Sequence, residues 1–343
     1  MSTMRAAVLR AFREIVIEEV PLPTVEPGGL LVATRACGIC PGDVMPWYIE
    51  RKAPLVLGHE PVGVVVDAPG SAVFAPGDRV FVHHHAPCLT CDICRRGDHV
   101  HCPTWKLAAI KPGGCAQFFT VTPNGAAHDT LRLPDTVSDE AGCLIEPLAC
   151  CVKGFARVPK PALHGTTLVL GLGPMGLLNV RLARHYGAQR IIAVDRVPFR
   201  LALAKSFGAT VTVDFSREDV VEAVRHYTSG SMADLIVVGP PQVDVLQTAL
   251  DCAAPGATVL QFSPVTPGQM LAVDPNRLYF GEVRLVPSYS CGPDDTRQAL
   301  TMLADGLVDL GAFISHRFLL NDAAKAYATV ADGGDSAKVI VTI

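Results

Sequence analysis

The second half of the chain alternates short apolar runs with helical patterns, and this feature limits the possible folds more than any other. Six runs of strand character begin near residue 165, and they are TTLVLGLG, RIIAVD, ATVTVD, DLIVVG, ATVLQF and VRLVP. Helical patterns at 174–186, through Ala204, at 216–227 and at 243–252 lie between them. Strands that alternate with helices form a parallel sheet through right-handed crossovers. The sequence therefore predicts a doubly wound α/β sheet with the strand order 3-2-1-4-5-6.

A glycine-rich turn joins the first of these strands to the helix after it. The turn has the spacing G-x-G-x-x-G, and an acidic residue, Asp195, ends the next strand about 20 residues later, as a dinucleotide site requires. The first two glycines let the backbone approach a pyrophosphate, and the third lets the helix pack closely on the strand. The residues predicted to bind the cofactor here are Gly171, Gly173, Pro174, Met175 and Gly176, together with Gly239 at the end of the fourth strand.

The residues after the second strand bear on which nicotinamide cofactor is bound. The carboxylate of Asp195 is expected to accept hydrogen bonds from the adenosine ribose and to repel the 2′-phosphate of NADP, which favours NAD. Arg196 and Arg200 argue in the other direction, because a guanidinium group binds phosphate well. These arginines alternatively lie against the adenine or in solvent. The sequence favours NAD over NADP on the acidic residue.

Four cysteines fall within a short stretch of the first half. Cys88, Cys91, Cys94 and Cys102 have the spacing C-x2-C-x2-C-x7-C. Four thiolates on one compact loop close a tetrahedral zinc site and leave no position for a substrate. We expect a structural zinc ion here. The neighbouring histidines at 83–85 are interpreted as strand-end residues, although they are also potential ligands.

Two shorter motifs form half of a second metal site. Cys40 and His59 offer a thiolate and an imidazole, and a catalytic zinc typically takes three protein ligands and leaves one position open. Glu146 is the candidate third ligand, and its alternatives are a helix cap or an ion pair with an arginine. Cys37 and Cys40 also form a C-x-x-C pair, but no thioredoxin-like unit follows them. We interpret Cys37 as a buried thiol.

The first part of the chain is rich in short strands separated by turns. Apolar runs occur at 4–36, 62–66, 80–83 and 117–122, and they predict a small irregular β-barrel. A chain of 343 residues is long enough for two domains of about 150 residues each. A helical pattern at 296–303 and a final apolar run at 338–343 do not continue the alternation. We therefore place 1–152 and 290–343 in one domain and 153–289 in the cofactor domain.

Composition and charge exclude several classes of partner. The formal net charge is −4, and there is no basic run longer than Arg95-Arg96, so the sequence offers no surface for nucleic acid. No stretch reaches the roughly 20 apolar residues of a membrane span, and the first residues lack the apolar core of a secretion signal. Grouped cysteines in such a chain indicate metal binding in a reducing compartment. We expect a cytoplasmic protein that binds small molecules.

Taken in order, these motifs resemble those of the zinc-dependent medium-chain dehydrogenases, the superfamily of alcohol, sorbitol and threonine dehydrogenases. The resemblance covers essentially the whole chain. It rests on Gly38-Ile39-Cys40, Gly58-His59-Glu60, the four cysteines, Glu146-Pro147 and the glycine motif, which follow one another in the family's order. Glu146-Pro147-Leu148 resembles the polyol and threonine dehydrogenase branch. The family fold is a GroES-like β-barrel catalytic domain joined to a six-stranded Rossmann domain.

The resemblance assigns roles to particular residues. It implies that Cys40, His59 and Glu146 surround a catalytic zinc ion, with Glu60 close enough to ligate the metal or to exchange with water. Asp43 would orient His59 from behind, although a plain turn residue is the alternative.

Three further positions are assigned to the cofactor by the same resemblance. Lys338 matches a basic position that in relatives reaches Asp43 or the cofactor pyrophosphate. Phe262 and Ser263, at a strand end, would lie beside the nicotinamide.

The chain departs from the family at the expected proton route. Relatives carry a serine or threonine two residues after the ligand cysteine, and several carry a histidine shortly after it, whereas this chain has Gly42 and Met45. A water molecule beside Gly42, Glu60 or Glu146, or the hydroxyls of the substrate would then move the proton. We favour water with Glu60. Gly42, Trp47 and Tyr48 are predicted to line a substrate pocket, and plain barrel packing is the alternative for the two aromatic residues.

The expected function is oxidation of a secondary alcohol, in a polyol, sugar or cyclic alcohol, to the ketone with transfer of a hydride to NAD. An amino-alcohol dehydrogenase of the threonine type is the alternative enzyme. A zinc- and NAD-binding protein without dehydrogenase activity is the alternative outside enzymes. The run VRLVP is expected to be a sheet edge that relatives pair across a twofold axis, which implies a homodimer or homotetramer.

Overall fold

The computed structural model of the protein describes residues 2–308 and 310–343. The strands in these ranges are β1 (Thr3–Ala11), β2 (Glu14–Pro21), β3 (Leu30–Gly38), β4 (Leu55–Val56), β5 (Glu60–Asp67), β6 (Arg79–Val82), β7 (Ile110–Lys111), β8 (Phe118–Val121), β9 (Thr130–Arg132), β10 (Thr166–Leu170), β11 (Arg190–Asp195), β12 (Val211–Asp214), β13 (Ala233–Val238), β14 (Ala253–Gln261), β15 (Arg284–Pro287), β16 (Ile314–Leu319) and β17 (Lys338–Thr342).

The helices in the same ranges are α1 (Pro46–Ile49), α2 (Asp92–Arg95), α3 (Pro123–His128), α4 (Asp139–Gly142), α5 (Ile145–Ala156), α6 (Lys160–His164), α7 (Pro174–His185), α8 (Pro198–Ser206), α9 (Val220–Tyr227), α10 (Val243–Asp251), α11 (Pro275–Gly281), α12 (Pro293–Ala304), α13 (Leu310–Phe313) and α14 (Ala323–Asp332). Short 3₁₀ turns occur at Pro41–Val44, Glu50–Lys52, His99–His101 and Leu320–Asp322.

The chain divides into two units. Unit 1 contains Met1–Ala149, Ser290–Gly334 and Lys338–Ile343, and unit 2 contains Cys150–Tyr289 and Asp335–Ala337. The chain therefore leaves unit 1 within helix α5 and returns to it just before helix α12.

Unit 1 is built on two sheets whose strand pairs are antiparallel, apart from the parallel pair β16–β17. Its larger sheet has the strand order β16-β17-β3-β5-β6-β9, and β8 joins it by pairing with β3 and with β7. A smaller sheet has the order β2-β1-β4. Alternate residues of β3, β5 and β8 point into an apolar core that includes Leu30, Val32, Val65 and Phe119, as expected for strands that bury one face.

The closing strand β17 comes from the tail of the chain. It pairs antiparallel with β3, and the register places Ile340 opposite Gly38. This pairing brings Lys338, at the start of β17, close to the residues that follow β3. The tail is therefore needed to complete the unit that carries the motifs of the first 150 residues.

Unit 2 is a parallel sheet with the order β12-β11-β10-β13-β14-β15. All five neighbouring pairs are parallel, and strands numbered one to six in chain order give the predicted order 3-2-1-4-5-6. Strands β10 and β13 are almost fully buried, as both faces of a parallel sheet are covered by helices. The predicted α/β fold class is confirmed.

The helices and strands that the sequence predicted differ from their observed bounds by only a few residues. The helix expected over 216–227 begins at Val220, because the side chain of Asp219 caps it by accepting a hydrogen bond from the Glu222 amide at 2.9 Å. The strand expected at ATVLQF begins earlier, at Ala253. None of the helices in the described ranges combines the length and the apolar character that a membrane crossing requires.

Candidate active site

The four cysteines predicted to bind structural zinc converge on one point in unit 1. Their sulfur atoms all lie within 4.8 Å of one another, and the Cys88–Cys94, Cys91–Cys102 and Cys88–Cys102 separations are 4.0, 3.9 and 3.6 Å. Sulfurs bound to one tetrahedral zinc at about 2.3 Å are separated by about 3.8 Å. The lobe therefore fits a closed zinc site.

Hydrogen bonds already favour the thiolate form in this lobe. The side chain and the backbone of Thr90 and the Cys91 amide lower the pKa of Cys88 to about 5. A thiolate, and not a thiol, is the form that binds zinc. Burial, in contrast, raises the pKa of Cys94 to about 12, so this thiol gives up its proton when the metal binds.

Cys40, His59 and Glu60 form the second group of ligand atoms. Their ligand atoms lie within 4.8 Å of one another, and Glu60 is fully buried. Cys40 caps the 3₁₀ turn Pro41–Val44, and Glu60 begins strand β5. The buried Oε1 atom of Glu60 has no hydrogen-bond partner in the described part of the chain. A buried carboxylate oxygen without a partner is costly, and a metal ion on this side would satisfy it.

Asp43 lies directly behind His59. Its Oδ2 atom is 3.2 Å from His59 Nδ1, and Asp43 is buried. Burial lowers the pKa of His59, but the charges of Asp43 and Cys40 raise it by more, and the net shift is well above the usual value. The carboxylate is thus placed to hold the Nδ1 proton and to leave Nε2 for a metal ion.

Lys338 contacts Glu60, whereas the resemblance implied that it reaches Asp43 or the cofactor pyrophosphate. Its ammonium group donates hydrogen bonds to Glu60 Oε2 and, at 3.1 Å, to the Ile39 carbonyl. Both side chains of the Lys338–Glu60 pair are about 1% exposed. Burial opposes the charged form of Lys338, but Glu60 and Cys40 outweigh it and raise the pKa of Lys338. One Glu60 oxygen is thereby held and the other is left for the metal.

Glu146 joins a different group from the one predicted. Its carboxylate lies in the first turn of helix α5, and its oxygen groups with His83 and Cys291 within 4.8 Å. Glu60 begins β5 directly after His59, and its ligand atom groups with those of Cys40 and His59. Glu146 still acts on that site electrostatically, since its charge raises the pKa values of both Glu60 and Lys338.

A cavity of about 240 Å³ opens beside His59. Its lining includes Tyr48, Lys52, His84 and His85, and the Lys52 ammonium lies 3.7 Å from the centre of the Tyr48 ring. Tyr48 thus lies at the predicted pocket, whereas Gly42 and Trp47 are not among the described residues that line this cavity.

The two histidines of this cavity were interpreted as plain strand-end residues. The buried Nδ1 atoms of His84 and His85 have no hydrogen-bond partner within the described ranges. Burial and the neighbouring positive groups lower the pKa of His84 well below its usual value, and they lower that of His85 to about 3. Neutral imidazoles with an open nitrogen can hydrogen-bond the hydroxyls of a substrate. The triplet of adjacent histidines was the only signal for them in the sequence.

The glycine loop of unit 2 has the geometry of a phosphate site. Gly171 has φ +81°, a conformation that favours glycine. A Cβ atom on Gly176 would overlap the Gly171 carbonyl oxygen, whereas one on Gly173 would meet nothing within 4 Å. Gly173 also precedes helix α7 and offers no side chain to cap it. The amides of this helix N-terminus are therefore accessible to an anion.

Asp195 ends strand β11 beside this loop. Its Oδ2 atom accepts a hydrogen bond from the Leu172 amide at 2.7 Å, and its Oδ1 atom accepts bonds from the Arg196 and Val197 amides at 2.7 and 3.0 Å. Arg200 donates from Nε to the Ser336 carbonyl, and Arg196 is exposed. The carboxylate is therefore fixed at the loop.

A cavity of about 590 Å³ in unit 2 continues from the glycine loop. Residues at the carboxyl ends of four neighbouring strands line it, and they include Gly171, Val194, Phe215 and Pro240. Doubly wound sheets bind ligands at this edge, where the strand order reverses. The cavity fits the adenosine part of a dinucleotide. It was not predicted, because most of its lining, apart from Gly171, comes from segments without a motif.

Two family models match the chain. The alcohol dehydrogenase GroES-like domain matches residues 26–135, and the zinc-binding dehydrogenase domain matches residues 174–305. Sorbitol dehydrogenase 2 from Saccharomyces cerevisiae is 32% identical, over 98% of this chain and 97% of that protein. L-threonine 3-dehydrogenase from Chelativorans is 28% identical, over 99% of both chains.

A solved structure supports the same comparison. A zinc-binding dehydrogenase from Sinorhizobium meliloti, bound to NADP, superposes with a TM-score of 0.88 at 29% identity, and the match covers 100% of each chain. The ligand groups and the glycine loop described above thus occur in a chain whose relatives are zinc enzymes and use a nicotinamide cofactor.

Proposed function

Because the chain belongs to the zinc-binding alcohol dehydrogenase family, we propose that it oxidises a secondary alcohol of a polyol, sugar or cyclic alcohol to the ketone with NAD. The observation that carries this proposal is the group Cys40, His59 and Glu60, with an unpartnered Glu60 oxygen, beside a cavity whose lining includes several polar side chains. Three such ligands leave one zinc position open for substrate.

The chain's own residues prepare the site for this reaction. Cys40, His59 and Glu60 would hold zinc, which supplies a Lewis acid when bound. Asp43 orients His59, and Lys338 holds the second oxygen of Glu60. Glu146 supplies negative charge near this site, where it raises the pKa values of Glu60 and Lys338.

We infer that Glu60 and a water molecule beside Gly42 remove the proton, with Glu60 acting as base in a state in which its Oε1 atom does not ligate the metal. The space at Gly42 is not filled by a side chain, since a Cβ atom there would meet only Cys40 Sγ, at 3.5 Å. Replacement of Glu60 by glutamine removes the base but keeps the size of the side chain. We expect a lower turnover and a shifted pH profile. An unchanged rate and profile would exclude Glu60 from the proton route.

The cavity beside His59 supports a substrate with several hydroxyl groups. Tyr48, His84 and His85 offer hydrogen-bonding groups. Trp47 directly precedes Tyr48 in the sequence, and Gly42 lies close to the ligand Cys40. Yeast sorbitol dehydrogenase 2, a named polyol enzyme, is 32% identical to this chain.

The decisive experiment mixes the zinc-loaded protein with NAD and separate polyols, cyclic alcohols and amino alcohols, and follows the absorbance of reduced cofactor. We expect reduction with the first two classes. Cys40→Ala should abolish it, whereas Cys37→Ala, which removes the buried neighbour of the same C-x-x-C pair, should retain it. Equal loss in both variants would favour thiol chemistry.

An amino-alcohol dehydrogenase is the second candidate function, and the 28% identity to L-threonine 3-dehydrogenase favours it. Reduction of NAD with amino alcohols alone would select this candidate. Zinc-loaded protein that reduces NAD with no class of alcohol would instead favour a binding protein without dehydrogenase activity.

NAD is proposed as the cofactor, bound by Gly171, Gly173, Pro174, Met175, Gly176 and Gly239 at the phosphates, by Asp195, Arg196 and Arg200 at the adenosine, and by Phe262, Ser263 and Lys338 toward the nicotinamide half. The carboxylate of Asp195 at the loop disfavours a 2′-phosphate, although one relative binds NADP. Asp195→Asn should raise kcat/KM for NADP relative to NAD by about tenfold or more, since removal of about 1.4 kcal/mol of repulsion has that effect. An unchanged ratio would remove Asp195 from cofactor selection.

A homodimer or homotetramer is proposed through the sheet edge of unit 2. Strand β15 is the last strand of its sheet, and Tyr279 and Phe280 before it are 75% and 79% exposed. Exposed apolar groups beside an open strand edge favour pairing. Light scattering should give a multiple of the chain mass, and Tyr279→Asp/Phe280→Asp should reduce it to that of one chain.

A reducing, cytoplasmic location is also proposed. All twelve cysteines are free thiols in the structure, and the metal sites require reduced sulfur. Location of the tagged protein in cell fractions tests this proposal.

A further inference from the structure

A third group of ligand atoms lies in unit 1, apart from the two zinc sites described above. One ligand atom each of His83, Glu146 and Cys291 lies within 4.8 Å of the others, and these residues are 0%, 6% and 0% exposed. His83 follows strand β6, Glu146 begins helix α5 and Cys291 precedes helix α12. We propose that this group binds a third divalent ion per chain, of the zinc type.

The buried carboxylate of Asp129 fixes which nitrogen of the His83 ring carries the proton. His83 Nδ1 lies 2.7 Å from Asp129 Oδ2, and both side chains are fully buried. Asp129 Oδ1 in turn accepts a hydrogen bond from the Thr296 hydroxyl at 2.6 Å. Because Asp129 accepts the Nδ1 proton, the lone pair of the ring is on Nε2. Histidines that bind metal are usually held from behind in this way.

The Nε2 atom of His83 faces the thiol of Cys291 at the distance that a shared metal ion requires. The separation from Cys291 Sγ is 3.7 Å. Zinc–nitrogen and zinc–sulfur bonds of about 2.1 and 2.3 Å at a tetrahedral angle place the two ligand atoms about 3.6 Å apart. The same reasoning accounts for the sulfur separations in the four-cysteine lobe. The two ligands therefore need no rearrangement to bind one ion.

The donor set selects the kind of metal. One imidazole, one thiolate and one carboxylate suit zinc and similar transition ions, whereas calcium and magnesium prefer oxygen donors alone. Asp129 and Glu146 also place two carboxylates in a buried region, and a bound divalent ion would offset their charge. Three protein ligands leave the fourth position for a water molecule.

Two of the three ligands lie close in sequence to the points where the chain crosses between unit 1 and unit 2. Unit 1 is left after Ala149 and resumed at Ser290, so Glu146 and Cys291 lie within a few residues of the two crossings. A metal ion bound here would link the segments that contain Glu146 and Cys291 to the end of strand β6. This role is separate from oxidation of an alcohol, and it does not depend on the function proposed above.

The alternative is a core network without metal. The thiol of Cys291 would then donate to His83 Nε2 or to the Glu146 carbonyl oxygen, which is 3.9 Å away. Removal of the thiol would cost packing but would change no metal content. The number of metal ions bound per chain therefore distinguishes a metal site from a core network without metal, and catalytic activity need not be measured.

The test counts zinc ions per chain by native mass spectrometry and by elemental analysis, after equilibration with zinc and removal of free metal. We expect three ions in the wild type, two in Cys291→Ala, two in Cys40→Ala and one in the double variant. Cys252→Ala, which removes another fully buried thiol, is the matched control and should keep three. Circular dichroism checks that each variant folds, and His83→Gln serves if Cys291→Ala does not fold.

Two ions in the wild type would overturn the proposal, as would three in both Cys291→Ala and His83→Gln. Loss of two ions from Cys291→Ala would also overturn it, because the group would then support the Cys40 site and not hold an ion of its own. A protein that lacks dehydrogenase activity but gives the expected counts would refute the proposed function alone.

Discussion

The ammonium group of Lys338 contacts the carboxylate of Glu60, and both side chains are about 1% exposed. Removal of one partner from a buried ion pair leaves an uncompensated charge and costs about 3–5 kcal/mol. We expect Lys338→Met to destabilise unit 1 by this amount, and Glu60→Gln/Lys338→Met to recover much of the loss. Both tryptophans, Trp47 and Trp105, lie in unit 1, so tryptophan fluorescence during urea unfolding reports on this unit.

Lys325 provides the control for this experiment. It pairs with Asp322 at 2.7 Å, but its side chain is 75% exposed, and such pairs contribute about 0–1 kcal/mol. Lys325→Met should leave the unfolding midpoint nearly unchanged. A loss of equal size in Lys325→Met and Lys338→Met would contradict a special role for the buried pair.

The second and third glycines of the glycine loop, Gly173 and Gly176, should have different effects when replaced by alanine. Gly176→Ala places a Cβ atom against the Gly171 carbonyl, so we expect unit 2 to lose about 1–3 kcal/mol. Gly173→Ala meets nothing within 4 Å but stands where the pyrophosphate would approach. It should keep the melting temperature and raise KM for the cofactor at least about tenfold, equivalent to 1.4 kcal/mol. Calorimetry and initial rates measure the two effects. Equal cofactor affinity in Gly173→Ala would argue against this loop as the phosphate site.

Gly42 allows a matched pair of variants at the proton route. A Cβ atom there lies 3.5 Å from Cys40 Sγ, an ordinary contact, so both alanine and serine should fit. Alanine would displace water from this space, and we expect kcat to fall by about tenfold to a hundredfold. Serine supplies a hydroxyl in its place and should keep kcat within about threefold of the wild type. Steady-state rates across a range of pH measure this, and an active Gly42→Ala would remove water at this point from the route.

His85 should make unit 1 sensitive to mild acid. Burial and the charge of His83 lower the pKa of His85 to about 3, while an unfolded histidine has a pKa of about 6.5. The unfolded chain therefore binds more protons between these values, and stability falls as the pH drops from about 6.5, by up to about 1.4 kcal/mol per pH unit for this group. We expect His85→Phe, which can keep the ring contact with Trp105, to show a weaker loss.

Urea unfolding at pH 8 and pH 5.5 gives the difference. His226→Gln, on the exposed side of helix α9, is the control and should behave as the wild type does. The same acid dependence in wild type and His85→Phe would show that other groups cause the loss.

The fold of unit 2 was predictable because each strand carries its own local signal. The apolar runs, the glycine loop and the right-handed crossover rule fix the order of the six strands. Unit 1 was less accessible. Strands β4 and β7 have only two residues each, and they form because β4 pairs with β1 and β7 pairs with β8. So short a segment carries no pattern of its own.

The candidate sites differ in the same way, because some lie within one short stretch and others join residues that are far apart in the sequence. The cysteine lobe and the glycine loop lie within short stretches, so their spacing identified them. The contacts around His83 join residues 46 positions apart, to Asp129, and 208 positions apart, to Cys291. Nothing in the sequence near any one of these residues points to the others. The grouping of Glu60, and not of Glu146, with Cys40 and His59 likewise depends on how the chain packs and not on a motif.

The pairing of β17 with β3 has a consequence for how the protein is made. Gly38 meets its partner Ile340 only after about 300 further residues have been added to the growing chain. During translation the main segment of unit 2, which is continuous and ends at Tyr289, is made before the last two segments of unit 1. The thiols and carboxylates of the first segment therefore lack the closing strand β17 while the main segment of unit 2 folds. Nascent chains stalled before β17 should lack the Glu60–Lys338 pair and so expose an unbalanced carboxylate at the metal site.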